Sequence, residues 1–166
     1  MKKPIIISDP YPRNLKLIFN DKTFKKLKNK YTLIQPPKKN KNDFYRNNIH
    51  KVTFIMGQPS LPTSVLRKAK KLKAIFNVES NFLNNMDYDF CFRKNIHVLS
   101  TSPVFARPVA ELALGLTLSL LREIHINHNN FINNNEKYGL TSNENAKLLT
   151  NKKIGLIGFG DLGKSL

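Results

Sequence analysis

Three closely spaced glycines follow a short apolar run near the C-terminus. Gly158, Gly160 and Gly163 form a G-x-G-x-x-G pattern directly after residues 154–157, which read IGLI. In this pattern the first glycine permits a tight turn, the second lets the backbone approach a pyrophosphate, and the third lets a helix pack on the strand. The phosphates would lie on free N–H groups at the helix N-terminus. The spacing favours dinucleotide-binding ancestry, and its alternative is an ordinary glycine-rich turn.

The residues after this turn are few. An acidic residue that binds the adenosine ribose normally follows about 20 residues later, whereas the sequence holds three residues after Gly163. A helix of about four residues is also too short to be stable alone. We therefore expect the turn to bind no cofactor by itself.

The other reactive side chains form no complete catalytic or metal-binding set. His125 and His128 could share one helix face, but no Cys, Asp or further His lies close in sequence to complete the ligands of a zinc site. Cys91 is the single cysteine, which excludes an intramolecular disulfide and favours a reducing compartment. Asp87 and Asp89 are better explained as helix-start residues. We predict no catalytic residue and no metal site.

The chain is strongly basic. Lys and Arg number 28 against 11 Asp and Glu, a formal charge of +17. Such an excess can indicate a nucleic-acid or anionic-membrane partner. The lysines are nevertheless spread over the N-terminal half beside asparagines, and the densest run, PPKKNKN at 36–42, resembles a solvated loop. No nucleic-acid-binding motif is recognisable. A coding bias towards Lys, Asn and Ile explains the charge better, and nucleic acid stays the weakest alternative partner.

No segment has the composition of a targeting signal. The N-terminal MKKPIIISDPYP has three consecutive isoleucines, whereas a signal peptide needs about 7–15 apolar residues. The longest apolar stretch, 109–121, carries Glu111 and is shorter than the roughly 20 residues that span a bilayer. We predict a cytosolic protein without a membrane partner.

Segments typical of strands and helices alternate along the chain. Strands are predicted at 4–8, 32–35, 51–56, 72–78 and 96–100, and helices at 15–30, 62–71 and 87–94, the last capped by Asp87. This alternation predicts βαβ crossovers and a parallel sheet in an α/β fold.

The helix predicted at 108–124 differs from the others because it is apolar on nearly every face. Pro108 suits a first helical turn, and Gly115 in the middle suggests close approach of another element. Such a helix should be buried on two sides, between domains or subunits. An asparagine-rich segment at 127–147 then reads as a linker, and a new strand is predicted at 153–158.

Together these parts resemble the D-isomer-specific 2-hydroxyacid dehydrogenases. The resemblance is most specific across 72–122, LKAIFNVESNFLNNMDYDFCFRKNIHVLSTSPVFARPVAELALGLTLSLLR, and continues in KKIGLIGFGDLG. A strand enters a loop, a Met-Asp pair opens a short helix, a further strand follows, and a P-x-x-x-x-x-V-A-E segment starts the long helix. The first 50 or so residues fit only by their strand-helix pattern.

The resemblance implies a flavodoxin-like parallel-sheet substrate domain over 1–105, an interdomain and dimerisation helix over 106–126, a polar linker over 127–150, and the first strand and turn of a Rossmann domain over 151–166. It also implies NAD or NADP as cofactor, a small 2-hydroxy or 2-oxo acid as substrate, and a homodimer or aggregate formed through 108–124.

The resemblance carries site residues onto this sequence. The substrate positions are Gly57, Gln58, Val78, Glu79, Ser80 and Asn81. The cofactor positions are Ser80, Gly158, Gly160, Asp161, Leu162 and Gly163. Two positions depart from the family pattern: Glu79 stands where glycine is frequent and would repel a carboxylate substrate unless its side chain points away, and Asp161 stands where Arg or Asn is frequent.

The catalytic Arg, Glu and His of the family all lie beyond the Rossmann turn, so none has a counterpart here. We therefore expect the N-terminal half of a dehydrogenase, inactive by itself and produced by a truncated reading frame, a frameshift or an incomplete gene sequence. The alternatives are a non-catalytic dimerisation or interaction module on the same fold and, more weakly, a nucleic-acid-binding protein.

Overall fold

The computed structural model describes residues 2–166, which divide into two units. The first unit ends at Thr101 and the second runs from Ser102 to Leu166. The first contains the whole sheet, and each unit is described separately below.

Five parallel strands form the sheet of the first unit, in the order β2-β1-β3-β4-β5. Their bounds are Ile5–Asp9 for β1, Thr32–Ile34 for β2, Phe54–Gly57 for β3, Ala74–Phe76 for β4 and His97–Leu99 for β5. The α/β fold and its flavodoxin-like parallel sheet are confirmed. Each strand contains β-branched or aromatic residues, and four of the five are ended within two residues by Gly, Pro, Asn or Asp, which is why the local pattern located them.

Five short helices cross between the strands. They are α1 (Leu15–Ile18), α2 (Asp21–Lys30), α3 (Lys41–Asn48), α4 (Thr63–Leu66) and α5 (Tyr88–Arg93). The single helix predicted at 15–30 is wrong in one respect, because the chain leaves the helix after Ile18 and restarts at Asp21. The Asn20 side chain accepts a hydrogen bond from the Thr23 N–H at 2.9 Å and so caps a new helix.

Other helix predictions had mixed outcomes. Helix α3 was not predicted, because its Lys- and Asn-rich sequence has a weak apolar periodicity. Helix α4 is four residues long and therefore shorter than the predicted 62–71. Asp87 caps α5 as predicted, accepting a hydrogen bond from the Phe90 N–H at 2.9 Å.

The strands bury side chains on both faces of the sheet. Ile7, Ile55 and Ile75 are fully buried on one face, which also carries buried residues of α3, α4 and α5. Neighbours along the strands, such as Ile6 and Met56, point to the opposite face, where residues of α1 and α2 pack. Helices therefore pack on both faces, the arrangement of a doubly wound sheet, although Phe76 of β4 and Leu99 of β5 stay exposed on the second face.

The second unit begins with the long helix α6, Ser102–Leu121. The predicted start at Pro108 is wrong, because the helix begins six residues earlier and Pro108 lies inside it. Within Ser102–Leu121 the buried residues are Ala106 and Ala110, whereas Leu112, Leu116 and Leu120 are exposed. By length and composition alone, α6 could also cross a membrane, which is weak evidence of a span. The sequence estimate from 109–121 missed this because it omitted the first turns of the helix.

Two features after α6 also differ from prediction. Glu123 has a positive φ of 52°, and a further helix α7 spans Ile124–Ile132, so the start of the predicted linker is helical. The strand predicted at 153–158 does not form. A parallel strand needs neighbours to accept and donate its hydrogen bonds, and no strand within residues 2–166 pairs with this segment. A short helix α8, Asp161–Ser165, follows.

Candidate functional site

The candidate site lies at the carboxyl edge of the sheet, where β1, β3 and β4 end side by side. Open α/β sheets bind ligands in the crevice outside the carboxyl ends of their strands. Three side chains near such ends, Ser8, Asn77 and Thr101, have buried polar atoms without a hydrogen-bond partner among the described residues. Buried polar atoms are normally paired. Their grouping at strand ends distinguishes this edge from the rest of the first unit.

The 78–81 loop follows β4 and contains Val78, Glu79, Ser80 and Asn81, four of the residues that the sequence predicts to bind substrate. Val78 is buried, Glu79 and Ser80 are half-buried, and Asn81 is exposed. The loop therefore has one end anchored in the core and the other open to solvent.

Gln58 connects the end of β3 to this loop. Its side-chain Oε1 accepts a hydrogen bond from the Glu79 N–H at 3.0 Å, and its Nε2 donates to the Asn81 carbonyl at 3.0 Å. One amide side chain thus forms hydrogen bonds with main-chain groups at two positions of the loop. The structure brings together these predicted residues, which lie more than twenty positions apart in the sequence.

Gly57 allows the close approach of β3 to β1. Its φ is +138°, and a Cβ at this position would lie 2.0 Å from the Asp9 carbonyl oxygen. Any side chain would therefore collide with the neighbouring strand, so glycine is required immediately before Gln58.

Arg13, in the loop after β1, also contacts the 78–81 loop. Its Nε lies 3.1 Å from the Val78 carbonyl and 3.2 Å from Glu79 Oε1, so it donates to both acceptors. The Glu79 carboxylate is consequently paired with a guanidinium. The anionic side chain that departs from the family pattern thus has a partner, which reduces its expected repulsion of an anionic ligand.

Asp9, Lys41 and Tyr45 form a further polar group beside Gln58. Lys41 Nζ donates to Asp9 Oδ1 at 2.7 Å, and the Tyr45 hydroxyl lies 3.4 Å from Asp9 Oδ2. Burial, and then the charge of Asp9, raise the pKa of Tyr45 far above its ordinary value, so this hydroxyl stays protonated. These three residues and Gln58 line a cavity of about 260 Å³.

Sequence reasoning missed Arg13 and the Asp9 group. Arg13 and Glu79 are 66 positions apart, and no periodicity connects such distant residues. The signal available was Asp9 at the end of a predicted strand, because polar residues at strand ends often face a site.

The glycine turn, residues 158–163, has part of the predicted conformation. Gly158 has a positive φ of 92°, and a Cβ on Gly163 would lie 2.9 Å from the Gly158 carbonyl oxygen. A Cβ on Gly160 would meet no atom within 4 Å. Asp161 and Leu162 open α8, whose backbone begins with a hydrogen bond from the Lys164 N–H to the Gly160 carbonyl at 3.0 Å.

The remaining candidates do not assemble into a reactive centre. Among residues 2–166, no three His, Cys, Asp or Glu side chains lie close enough together to hold a metal ion. The His125 ring Nδ1 lies 3.3 Å from the Ser119 carbonyl. Cys91 is fully buried, and burial raises the pKa of its thiol to about 11. This thiol is protonated at neutral pH and is a poor nucleophile.

Comparisons with known proteins place these features in context. No family model matches the chain. A hydroxypyruvate reductase of Thermotoga maritima is 31% identical over 115 residues, which make up 69% of this chain and 36% of that protein. A phosphoglycerate oxidoreductase of Rhizobium etli has a solved structure with 40% identity and a TM-score of 0.84, covering 98% of this chain and 51% of that one.

A third comparison concerns the fold alone. The NAD-dependent formate dehydrogenase of Staphylococcus aureus, solved in complex with NAD, has 22% identity and a TM-score of 0.57, with 96% of this chain and 51% of that one covered. The chain thus spans about a third of the curated relative and about half of each solved structure.

Proposed function

Because the chain belongs to the D-isomer-specific 2-hydroxyacid dehydrogenase family, we propose that its first unit is the substrate domain of an NAD(P)-dependent enzyme. That enzyme would transfer a hydride between a nicotinamide cofactor and a small 2-hydroxy or 2-oxo acid. The observation that carries the proposal is the 78–81 loop, held at the carboxyl edge of the sheet by Gln58 and Arg13.

In this proposal the 78–81 loop receives the carboxylate of the substrate. Backbone N–H groups in a fixed loop are good donors to an anion because they need no rearrangement when it binds. Ser80 lies in the middle of the loop and would direct its hydroxyl towards the nicotinamide, which supplies or accepts the hydride. Gln58 would keep the main chain in the conformation that binds the carboxylate.

The glycine turn would hold the pyrophosphate of NAD or NADP. The positive φ of Gly158 and the open space around Gly160 fit a backbone cradle for phosphate groups. Asp161 and Leu162 would add N–H groups at the start of α8. A choice between NAD and NADP depends on the ribose partner, and we assign none of these 166 residues to that role.

We further propose that residues 1–166 do not catalyse hydride transfer by themselves. The reaction needs a group that moves a proton to or from the substrate oxygen. All four histidines of the sequence precede the glycine turn, and none lies among the residues that hold the 78–81 loop. The domain limits proposed from the sequence, with 1–105 as substrate domain and 151–166 as the start of the cofactor domain, belong to the same proposal.

Helix α6 would serve as a dimer and interdomain contact. Leu112, Leu116 and Leu120 are each more than half exposed, at 61%, 57% and 69%. An apolar surface of this kind favours association with another surface. This observation also favours the second candidate function, a non-catalytic dimerisation module. We propose a cytosolic location for either function.

The substrate proposal can be tested by nuclear magnetic resonance on the 166-residue protein. Oxalate resembles a 2-oxo acid and should shift the backbone amide signals of Glu79, Ser80 and Asn81 in a saturable way. Acetate at the same ionic strength is the control, because it lacks the second oxygen-bearing carbon. Equal responses to the two anions, or shifts spread over the exposed lysines, would contradict a substrate role for the 78–81 loop.

A further inference from the structure

We propose that Arg13 is a positioning residue for the 78–81 loop: it fixes the loop main chain and offsets the charge of Glu79, so that an anionic acid can bind beside a carboxylate. The positioning of the loop by Arg13 depends only on contacts within the first unit. The effect of Arg13 on anion binding rests on the proposed function.

The contacts of Arg13 join main chain and side chain of the same loop. A single Nε–H is shared between the Val78 carbonyl at 3.1 Å and Glu79 Oε1 at 3.2 Å. Both charged side chains of the pair are 37% exposed. Because the pair is partly withdrawn from water, its attraction is less screened than that of a fully exposed pair.

Gln58 holds the same loop from the β3 side. It accepts from the Glu79 N–H and donates to the Asn81 carbonyl, both at 3.0 Å. Glu79 is therefore held at its amide by Gln58 and at its carboxylate by Arg13. Arg13 follows β1 and Gln58 follows β3, and both of these strands lie on the same side of β4 in the sheet.

The charge of Glu79 explains why an arginine is needed. A carboxylate about 6 Å from a bound carboxylate lowers its affinity by about tenfold or more at an effective dielectric constant intermediate between water and protein. A guanidinium on Glu79 cancels most of this repulsion. A family member with glycine at this position has no such charge to offset, so Arg13 and Glu79 act as a pair.

The first test measures amide hydrogen exchange in the 166-residue protein. Arg13→Met should speed exchange of the Glu79 amide about threefold to tenfold, because the loop loses the side-chain hydrogen bonds that Arg13 donates to it. Glu79→Gln keeps an acceptor for Arg13 and should change this rate by less than twofold. Arg46→Met is the matched control, since Arg46 forms a more exposed pair with Asp43 at 3.5 Å. The amides of Ile55 and Ile75 report whether each variant stays folded.

The second test measures oxalate binding by the amide shifts of the 78–81 loop. Arg13→Met should weaken binding about tenfold, and the double variant Arg13→Met/Glu79→Gln should recover most of it. Arg13→Met with unchanged exchange and unchanged oxalate affinity would overturn the proposal. Failure of the double variant to recover affinity would overturn the role in offsetting charge. If the unmodified protein ignores oxalate, the proposed function fails, and the exchange data alone decide the positioning role.

Discussion

The 78–81 loop and the glycine turn each follow a short apolar run, but their surroundings differ. Residues 74–76 before the first loop form β4, paired on both sides with β3 and β5. Residues 153–158 before the glycine turn form no strand, and Ile154 and Leu156 are exposed. The comparison teaches that a glycine pattern can set a local turn, whereas a strand requires partners elsewhere in the chain.

The largest difference between the two regions should be in chemistry. In our proposal the 78–81 loop binds the substrate acid, whereas no residue of the second unit is assigned the proton transfer that the reaction needs. We expect the 166-residue protein to oxidise no NADH or NADPH with glyoxylate, hydroxypyruvate or pyruvate above a protein-free blank. Absorbance at the wavelength of reduced nicotinamide measures this directly. A protein-dependent rate that persists through a second purification would refute the proposal that these residues are inactive alone.

Truncation of one isoleucine in each unit should show how differently the two units are packed. Ile55 is fully buried in β3, so Ile55→Ala should lower the free energy of unfolding by about 2–5 kcal/mol, through lost burial and the cavity left behind. Ile154 is 60% exposed, and Ile154→Ala should cost less than about 0.5 kcal/mol. Urea denaturation followed by circular dichroism compares the two. Similar losses would mean that residues 153–158 pack as well as the sheet does.

The same contrast explains how much of the molecule the sequence could predict. The five strands of the first unit were predicted from short segments that contain β-branched or aromatic residues. The strand predicted at 153–158 has an equally good run, IGLIG, yet does not form. Its local sequence favours a strand as the other five segments do, but a strand forms only where a neighbouring strand pairs with it.

Side-chain contacts of the candidate site were less predictable than its location. The family resemblance places the 78–81 loop and Gln58 in one cleft, and the parallel strand order agrees, because the ends of β3 and β4 meet at one edge. The pairing of Arg13 with Glu79 could not be predicted, because it depends on the path of the loop after β1. Helix α6 also began earlier than predicted, since Pro108 is tolerated inside it.

Alanine at a glycine next to the 78–81 loop and alanine in the glycine turn should change the free energy of unfolding by different amounts, and this difference should be smaller than that between the isoleucine variants. Gly57→Ala places a Cβ 2.0 Å from the Asp9 carbonyl oxygen at a φ of +138°, so strain and displacement of β1 should cost about 2–3 kcal/mol. Gly160→Ala meets open space and should change stability by less than about 0.5 kcal/mol. Thermal unfolding of both variants, with the unmodified protein as reference, tests this. An unaffected Gly57→Ala variant would show that β1 and β3 can separate without loss.

The smallest expected effect concerns the exposed leucines of α6, which contrast with the fully buried isoleucines of the sheet. Leu116 is 57% exposed, so covering it in a dimer removes part of a leucine side chain from water, worth about 1–2 kcal/mol. Leu116→Glu should therefore weaken self-association about tenfold, a change of about 1.4 kcal/mol. Light scattering over a concentration series measures the association, and added salt should strengthen it because salt screens the +17 charge.

Thr117→Glu is the matched control, since Thr117 is a partly buried neighbour whose hydroxyl donates a hydrogen bond to the Ala113 carbonyl at 2.8 Å. Equal weakening by both variants would indicate a general effect of charge, and a monomer at high concentration in the unmodified protein would remove α6 as a dimer contact.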